Sequence, residues 1–240
     1  EEEQVFFHTD FERKFFSDKT NQIFCKTFFE NALKDEITGE IGKSIIFCVS
    51  QKHASKVTQI LNQFAEKLYP GKYNSDFAVQ ITSNISDAQG LTLSFANNNL
   101  NGHTKFLDGY NSSKTRVCVT VGMMTTGYDC EDILNISLMR PIFSPTDFIQ
   151  IKGRGTRKYV FTHQSKEGGE IEEVRVSKDK FKLFDFFANC EYFEEKFDYD
   201  EIIHLPPQTG TGTEGGDGGV DIDEISITHP DPLKTFTEKA

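Results

Sequence analysis

Arg154 and Arg157 are the residues whose type and spacing most directly suggest chemistry. They lie in the segment Gln150–Arg157, which reads Gln-Ile-Lys-Gly-Arg-Gly-Thr-Arg. Two planar guanidinium groups on one face of a helix end can both bind a polyphosphate, and the glycines allow the backbone to approach it closely. The alternative at this point is a solvated surface turn, which two arginines beside two glycines also fit.

A second polar segment lies upstream, over Val119–Asp129, where a β-branched run leads into threonines, glycines and a final aspartate. A loop at the carboxyl end of a strand can offer N–H groups and hydroxyls to phosphate. Its carboxylate can bind a ribose hydroxyl or a neighbouring arginine. The alternative is an ordinary polar connection between a strand and a helix.

Short apolar runs predict the strands that must position these groups, at residues 43–50, 78–82, 115–121 and 133–139. A helix over 54–68 is predicted from its apolar spacing, with Ser50 as N-cap, and another helix starts near Pro145. The polar residues 97–113 predict a loop or insertion. Strands that alternate with helices indicate an α/β fold, a parallel sheet with helices on both faces and ligands beyond the carboxyl ends of the strands.

The charge is unevenly distributed along the 240 residues. The formal net charge is −11, but residues 190–240 hold 13 acidic and 3 basic side chains, which leaves −1 for residues 1–189. A nucleic-acid-facing surface in the main domain is therefore compatible with the acidic total. The five cysteines and six histidines have no metal-ligand or disulfide spacing, so no metal site is expected.

Taken together and in this order, the segments resemble the C-terminal lobe of superfamily-two helicases, and in particular the motor subunit of type I restriction endonucleases. Ser44–Ser50 is similar to motif IV, Thr120–Asp129 to motif V and Gln150–Arg157 to motif VI. Flanking similarity is found at Asp10–Lys14 and Phe184–Phe187. The resemblance extends over about residues 8–205 and implies a RecA-like fold of the P-loop NTPase class.

For the nucleotide, the resemblance implies that Arg154 and Arg157 are arginine fingers that stabilise charge on the transferred γ-phosphoryl group. Gln150 would help to position them. Gly127 and Asp129 would approach the nucleotide and couple it to the arginines.

For nucleic acid, the resemblance implies that Ser50 and Thr120 contact the DNA phosphate backbone, and Thr82 is a weaker candidate for the same role. The implied partners are double-stranded DNA, the first RecA-like lobe and nuclease domain of the same subunit, and the modification and specificity subunits. A cytoplasmic location without a membrane is expected, since no long apolar run or signal peptide occurs.

The sequence contains neither a G-x-x-x-x-G-K-[ST] loop nor an Asp-Glu-x-His motif; Gly42-Lys43-Ser44 has Ile37 where that loop needs its first glycine. We therefore expect ATP and Mg²⁺ to be bound mainly by a missing N-terminal lobe and the chain to be inactive alone.

The expected organisation is a helical lead-in over 1–42, the RecA-like lobe over 43–206, a Gly-rich linker over 207–220 and a tail or truncated domain over 221–240.

Two other functions remain open from the residues. A non-catalytic RecA-like module could dock DNA or assemble subunits, although both arginines of motif VI are present. An unrelated dinucleotide-binding enzyme is disfavoured, because no G-x-G-x-x-G follows a predicted strand.

Overall fold

The elements alternate between helices and strands along most of the chain. The computed structural model describes residues 17–104, 110, 112–122, 130–167 and 170–196. In chain order they form α1 (Asp18–Asn31), β1 (Ser44–Cys48), α2 (Gln51–Leu68), β2 (Ala78–Gln80), α3 (Ala88–Ala96), β3 (His103–Thr104), β4 (Ser112–Ser113), β5 (Val117–Thr120), β6 (Asn135–Met139), α4 (Pro145–Gly155), β7 (Val160–Glu167), β8 (Glu170–Ser177), β9 (Lys182–Asp185), α5 (Asn189–Glu191) and a π-helical turn (Tyr192–Lys196).

The central sheet has five parallel strands in the order β2, β5, β1, β6, β9. Its middle strand, β1, pairs with β5 from Ser44 opposite Val117, and with β6 from Ser44 opposite Asn135. The predicted α/β fold with a parallel sheet is thus confirmed, and each of the four predicted strands is present in it. Consecutive crossovers through helices are the connections that parallel strands require.

Both faces of the sheet are buried, as in other parallel sheets covered by helices. On one face, alternate strand residues pack with Cys25 and Phe28 of α1 and with the apolar stripe of α2; these strand residues are Ile46, Cys48, Val117, Val119 and Met139. On the other face, Ile45 and Phe47 are fully buried. Helix α3 lies on this second side, since Lys43, two residues before Ile45, contacts the Phe95 ring.

Several elements were not predicted from the sequence. Strand β9 extends the sheet by pairing with β6, and β7 pairs with β8 as a separate antiparallel two-stranded sheet. The predicted loop over 97–113 contains the short antiparallel pair of β3 and β4. These strands are too short, or too polar on both faces, to give a clear alternation of apolar residues.

The chain divides into two compact units, residues 1–190 and residues 191–240. The first unit contains the sheet. Of the second, the structure describes residues 191–196. The predicted linker over 207–220 and the tail over 221–240 lie outside the described residues. Within the described ranges, no helix is both long and apolar enough to cross a bilayer.

A buried ion pair between Lys43 and Asp132 lies at the amino edge of the sheet, before β1 and β6. Lys43 Nζ lies 2.9 Å from Asp132 Oδ2, and the two side chains are 2% and 9% exposed. Lys43 also donates to the Ala96 carbonyl at 3.2 Å, while Asn98 Nδ2 donates to Asp132 at 3.0 Å. Burial alone would raise the pKa of Asp132, but the Lys43 charge and the hydrogen bonds outweigh it, so this pKa is lowered.

We predict that Lys43→Met destabilises the chain by about 3–5 kcal/mol at pH 7, because it leaves a buried carboxylate without its cation. In the wild type the folded pKa of Asp132 lies below its usual value of 3.8, so the stabilisation is present above about pH 4 and is lost as the pH falls. Without Lys43, burial should raise this pKa. The difference between the variant and the wild type should therefore shrink as the pH falls from 7 to 4, as measured by urea unfolding.

The matched control for this prediction is Lys26→Met, which removes a cation from the exposed i,i+4 pair with Glu30. That change should alter the free energy of unfolding by less than about 0.5 kcal/mol, since exposed pairs contribute little. Equal effects of the two substitutions would contradict a special role for the buried pair.

Candidate functional site

Ser50 begins α2 at the carboxyl end of β1. Its hydroxyl accepts the His53 N–H at 3.1 Å, as an N-cap does, and its side chain is partly exposed. The predicted N-cap is thus confirmed. The next residues of α2 bury a helical stripe that includes Ala54, Val57 and Leu61, which fixes the start of the helix on the sheet.

His53 holds this turn in place, a role that was not predicted from the sequence. The Val49 N–H donates to His53 Nδ1 at 3.3 Å, and His53 Nε2 lies 3.0 Å from Asn21 Oδ1. Because Nδ1 is the acceptor, Nε2 carries the proton and donates to Asn21. Both side chains are buried, at 5% and 1% exposure, so α1 anchors the loop between β1 and α2.

Thr82 and Thr120 lie near the same edge but are buried, at 2% and 0% exposure. Thr120 stands opposite Phe47 in the sheet, and Thr82 follows β2. Neither hydroxyl oxygen has a hydrogen-bond partner among the described residues. Of the three predicted DNA contacts, Ser50 is therefore the one whose side chain reaches the surface.

The motif V loop leaves the sheet at Val121 and Gly122. Among the described residues, no atom lies within 4 Å of a Cβ built on Gly122. The predicted nucleotide residues Gly127 and Asp129 lie outside the described residues.

Helix α4 carries the motif VI residues. Ser144 is its N-cap and accepts the Asp147 N–H at 3.3 Å, with Pro145 in the first turn, as the sequence predicted. Gln150 and Arg154 lie four residues apart, on one face of the helix, and both are partly exposed. Arg157 follows the helix end and is exposed.

The two glycines around Arg154 have different surroundings. A Cβ on Gly155 would overlap the ring of Phe181, whereas a Cβ on Gly153 would meet no atom of the described residues within 4 Å. Gly155 therefore permits close packing of α4 inside the domain. Gly153 leaves open space beside Arg154.

The direction of α4 separates the predicted site into two groups. The helix begins after the carboxyl end of β6, and Gly155 near its end packs on Phe181, the residue before the amino end of β9. It thus runs antiparallel to the strands. Its 11 residues span about 16 Å, so the arginines lie away from the carboxyl edge where Ser50 is found.

A polar cavity of about 180 Å³ lies at the amino edge of the sheet, and none of the predicted site residues that the structure describes is part of its lining. It is lined by the Lys43–Asp132 pair, Asp35, Tyr110 and Arg116, among others. Tyr110 donates to Asp35 at 2.9 Å, and Arg116 Nε donates to the Ile41 carbonyl at 2.8 Å. Burial and the Asp35 carboxylate raise the pKa of Tyr110. The polar groups of the lining thus bind one another or, in the case of Arg116, a backbone carbonyl. The described residues contain no cluster of three or more metal-ligating side chains.

Comparisons with known proteins bear on this arrangement. No family model matches the chain. It is 28% identical over 164 residues to the type I restriction enzyme EcoKI endonuclease subunit of Escherichia coli strain K12, and 27% identical over 204 residues to the EcoAI endonuclease subunit of Escherichia coli. These matches cover 65% and 82% of this chain, but the chain spans only 12% and 21% of the two relatives.

Among solved structures, the chain is similar to a fragment described as an HsdR subunit of a type I restriction enzyme from Vibrio vulnificus YJ016. The TM-score is 0.50 at 25% identity, covering 77% of this chain and 30% of that one. The predicted resemblance to the R subunit of type I restriction enzymes, in its helicase-like region, is confirmed, as is the RecA-like α/β fold.

The two glycines give a prediction about stability. Gly155→Ala should destabilise the chain by about 1–3 kcal/mol, because the new methyl group displaces the Phe181 ring. Gly153→Ala should raise stability by up to about 1 kcal/mol, since alanine favours a helix and space is available. Thermal melting of both variants checks this difference. Equal shifts would show that the contact with Phe181 does not constrain α4.

Proposed function

We propose that this chain is the second motor lobe of an ATP-dependent DNA translocase of a type I restriction-modification system. Its similarity to type I restriction endonuclease subunits supports a motor-related role. The observation that carries the finer assignment is α4, which presents Gln150 and Arg154 on one face, beside open space at Gly153, with Arg157 exposed just beyond.

Arg154 and Arg157 act as arginine fingers in this proposal. ATP supplies the γ-phosphoryl group whose transfer to water drives the motor. Two guanidinium groups spread positive charge over planar N–H donors, which suits the dispersed negative charge of a transferring phosphoryl group. Gln150, one turn before Arg154, helps to orient it. Gly127 and Asp129 couple the nucleotide to the arginines.

The chain requires a partner lobe for hydrolysis. Its sequence contains no phosphate-cradling G-x-x-x-x-G-K-[ST] loop and no Asp-Glu-x-His motif for metal and water. The first RecA-like lobe of the same subunit binds most of the ATP and Mg²⁺, and the arginines act when the cleft between the lobes closes. The chain is inactive alone.

Double-stranded DNA passes over the carboxyl edge of the sheet, away from the end of α4. The amino end of α2 suits a phosphate: its first turn contains no acidic residue, and Lys52 in that turn is exposed. Ser50 is the surface contact. Thr120 and Thr82 are buried beneath Ser50 and contact the DNA when the edge rearranges on binding.

The remaining partners follow from the same assignment. A nuclease domain belongs to the same subunit, the modification and specificity subunits complete the enzyme, and the complex works in the cytoplasm. The alternative is a non-catalytic module that docks DNA or assembles subunits. The two functions differ in whether the arginines affect turnover.

In the full subunit, Arg154→Ala or Arg157→Ala should lower the DNA-stimulated ATPase rate by at least about 100-fold, a loss of roughly 2.7 kcal/mol of transition-state stabilisation. ATP affinity should change less, because the charge they stabilise develops in the transition state. Lysine at either position should restore little, since an ammonium group lacks the planar fork. Steady-state ATPase at saturating DNA and a melting curve measure both effects.

Arg175→Ala is the matched control, because this exposed arginine lies on β8 and its partner among the described residues is the nearby Glu173. It should retain wild-type turnover, and the 240-residue chain alone gives the zero reference. A well-folded Arg157→Ala subunit with full ATPase activity would rule out the arginine-finger role and favour the docking module.

Ser50→Asp tests the proposed DNA contact without loss of the helix cap. Aspartate caps a helix about as well as serine, so the melting temperature should be retained. A carboxylate facing the phosphate backbone should weaken DNA binding by roughly tenfold at low salt, because one added charge opposes an electrostatic interaction. Fluorescence anisotropy with a DNA duplex measures the affinity.

Ser50→Ala separates the two effects, since it loses the cap, at a cost of about 1 kcal/mol, but adds no charge. We expect it to lower stability more than Ser50→Asp and DNA affinity less. Unchanged DNA affinity in Ser50→Asp would exclude Ser50 from the DNA site.

A further inference from the structure

Arg140 connects strands that are not neighbours in the sheet. It directly follows β6, and its Nη1 donates to the Val121 carbonyl, just after β5, at 3.0 Å. Strand β1 lies between β5 and β6. Since adjacent strands are about 4.8 Å apart, the arginine side chain bridges a gap of about 10 Å over the carboxyl end of β1.

The charge of Arg140 also acts on the thiol of Cys48. Burial raises the pKa of the Cys48 thiol well above its usual value, and the Arg140 guanidinium partly opposes this shift. Cys48 is the last residue of β1. This direction agrees with the hydrogen bond from Arg140 to the Val121 carbonyl, which crosses the end of β1 to the start of the motif V loop.

Arg140 also interacts electrostatically with α4, which begins five residues after it. Burial lowers the pKa of Arg140, and the Asp147 carboxylate is the strongest influence in the opposite direction. Asp147 lies in the first turn of α4. One cation thus contacts the start of the motif V loop and acts electrostatically on the start of the motif VI helix.

The backbone that carries Arg140 is fixed. Asn189 Nδ2 donates to the Arg140 carbonyl at 3.2 Å, and Asn189 Oδ1 accepts the Ile142 N–H at 2.6 Å. Asp185, at the end of β9, accepts a second Asn189 hydrogen bond at 2.8 Å. Asn189 thus ties the backbone on either side of Pro141, between β6 and α4, to the end of β9.

Packing alone does not account for an arginine here. Among the described residues, its buried Nε–H has no acceptor, and such a donor costs roughly 1–3 kcal/mol. An apolar side chain would fill the same space without that cost. The useful property of arginine at this position is that it joins two segments through one delocalised cation.

We propose that Arg140 is a positioning residue that couples the motif V loop to the motif VI helix, so that a change at the DNA-facing edge moves the arginines at the far end of α4. This inference rests on the proposed motor function. The 11-residue helix transmits the movement as a rigid element, since Arg154 and Asp147 belong to one continuous helix.

The test uses the full subunit and compares ATPase rates with and without duplex DNA. Arg140→Gln should reduce the DNA-stimulation ratio by roughly 3- to 10-fold, the range expected for loss of a coupling contact. The DNA-free rate and KM for ATP should change much less. Arg140→Lys keeps a cation and one donor to the Val121 carbonyl, so it should recover part of the ratio.

Asp147→Asn removes only the charge that faces Arg140 from α4 and should lower the ratio about twofold, in the same direction. The DNA-stimulation ratio of Asp147→Asn also tests the coupling if Arg140→Gln lowers the melting temperature strongly. The matched control, Arg175→Gln on the separate β7–β8 sheet, should keep the wild-type ratio.

The outcomes separate this inference from the proposed function. A wild-type subunit without DNA-stimulated ATPase overturns the motor function itself. A stimulated wild type that remains sensitive to Arg157→Ala, with an unchanged ratio in folded Arg140→Gln or in Asp147→Asn, overturns the coupling alone. An equal loss of both rates in Arg140→Gln, with no recovery in Arg140→Lys, assigns the residue a purely structural role and also overturns the coupling.

Discussion

The parallel pairing of β1 with a strand on each side is the constraint on which the rest of the structure depends. Phe47 stands opposite Thr120, and Cys48 stands opposite Met139. This register brings the carboxyl ends of β5, β1 and β6 to one edge. A shift by one residue would exchange the faces of Ile45 and Ile46 and disrupt their packing on both sides of the sheet. The position of Ser50, Val121 and Arg140 at that edge is a consequence of core burial.

The end of α4 depends on a different contact. Gly155 packs against Phe181, which holds the helix end near the amino edge of the sheet. Under the proposed function, DNA and nucleotide therefore use separate surfaces of the same lobe. A motor needs such surfaces to communicate, and the route proposed above runs from β6 through Arg140 to α4. Helix rigidity is what makes a small displacement at one end effective at the other.

Much of the fold was predictable, because local patterns carry the information. The apolar runs before Ser50 and around Val119 identified buried parallel strands, and Ser50 and Ser144 were predictable as helix N-caps from hydroxyl residues that precede helical spacing. The motif segments also gave the resemblance to type I restriction enzyme subunits, with motif VI on α4. The roles of Arg154 and Arg157 were predicted from the same segments and stay predictions.

Only the tertiary structure decided which of these segments meet. The sequence did not indicate that Arg140 reaches Val121, that Gly155 and Gly153 have opposite surroundings, or that Thr82 and Thr120 are buried. Nor did it indicate that Lys43 is paired with Asp132 in the interior. Spacing along the chain determines the elements and their caps, because those depend on neighbours within a few residues. Contacts between distant residues depend on strand order and helix direction, which arise only when the sheet assembles and its two faces are buried.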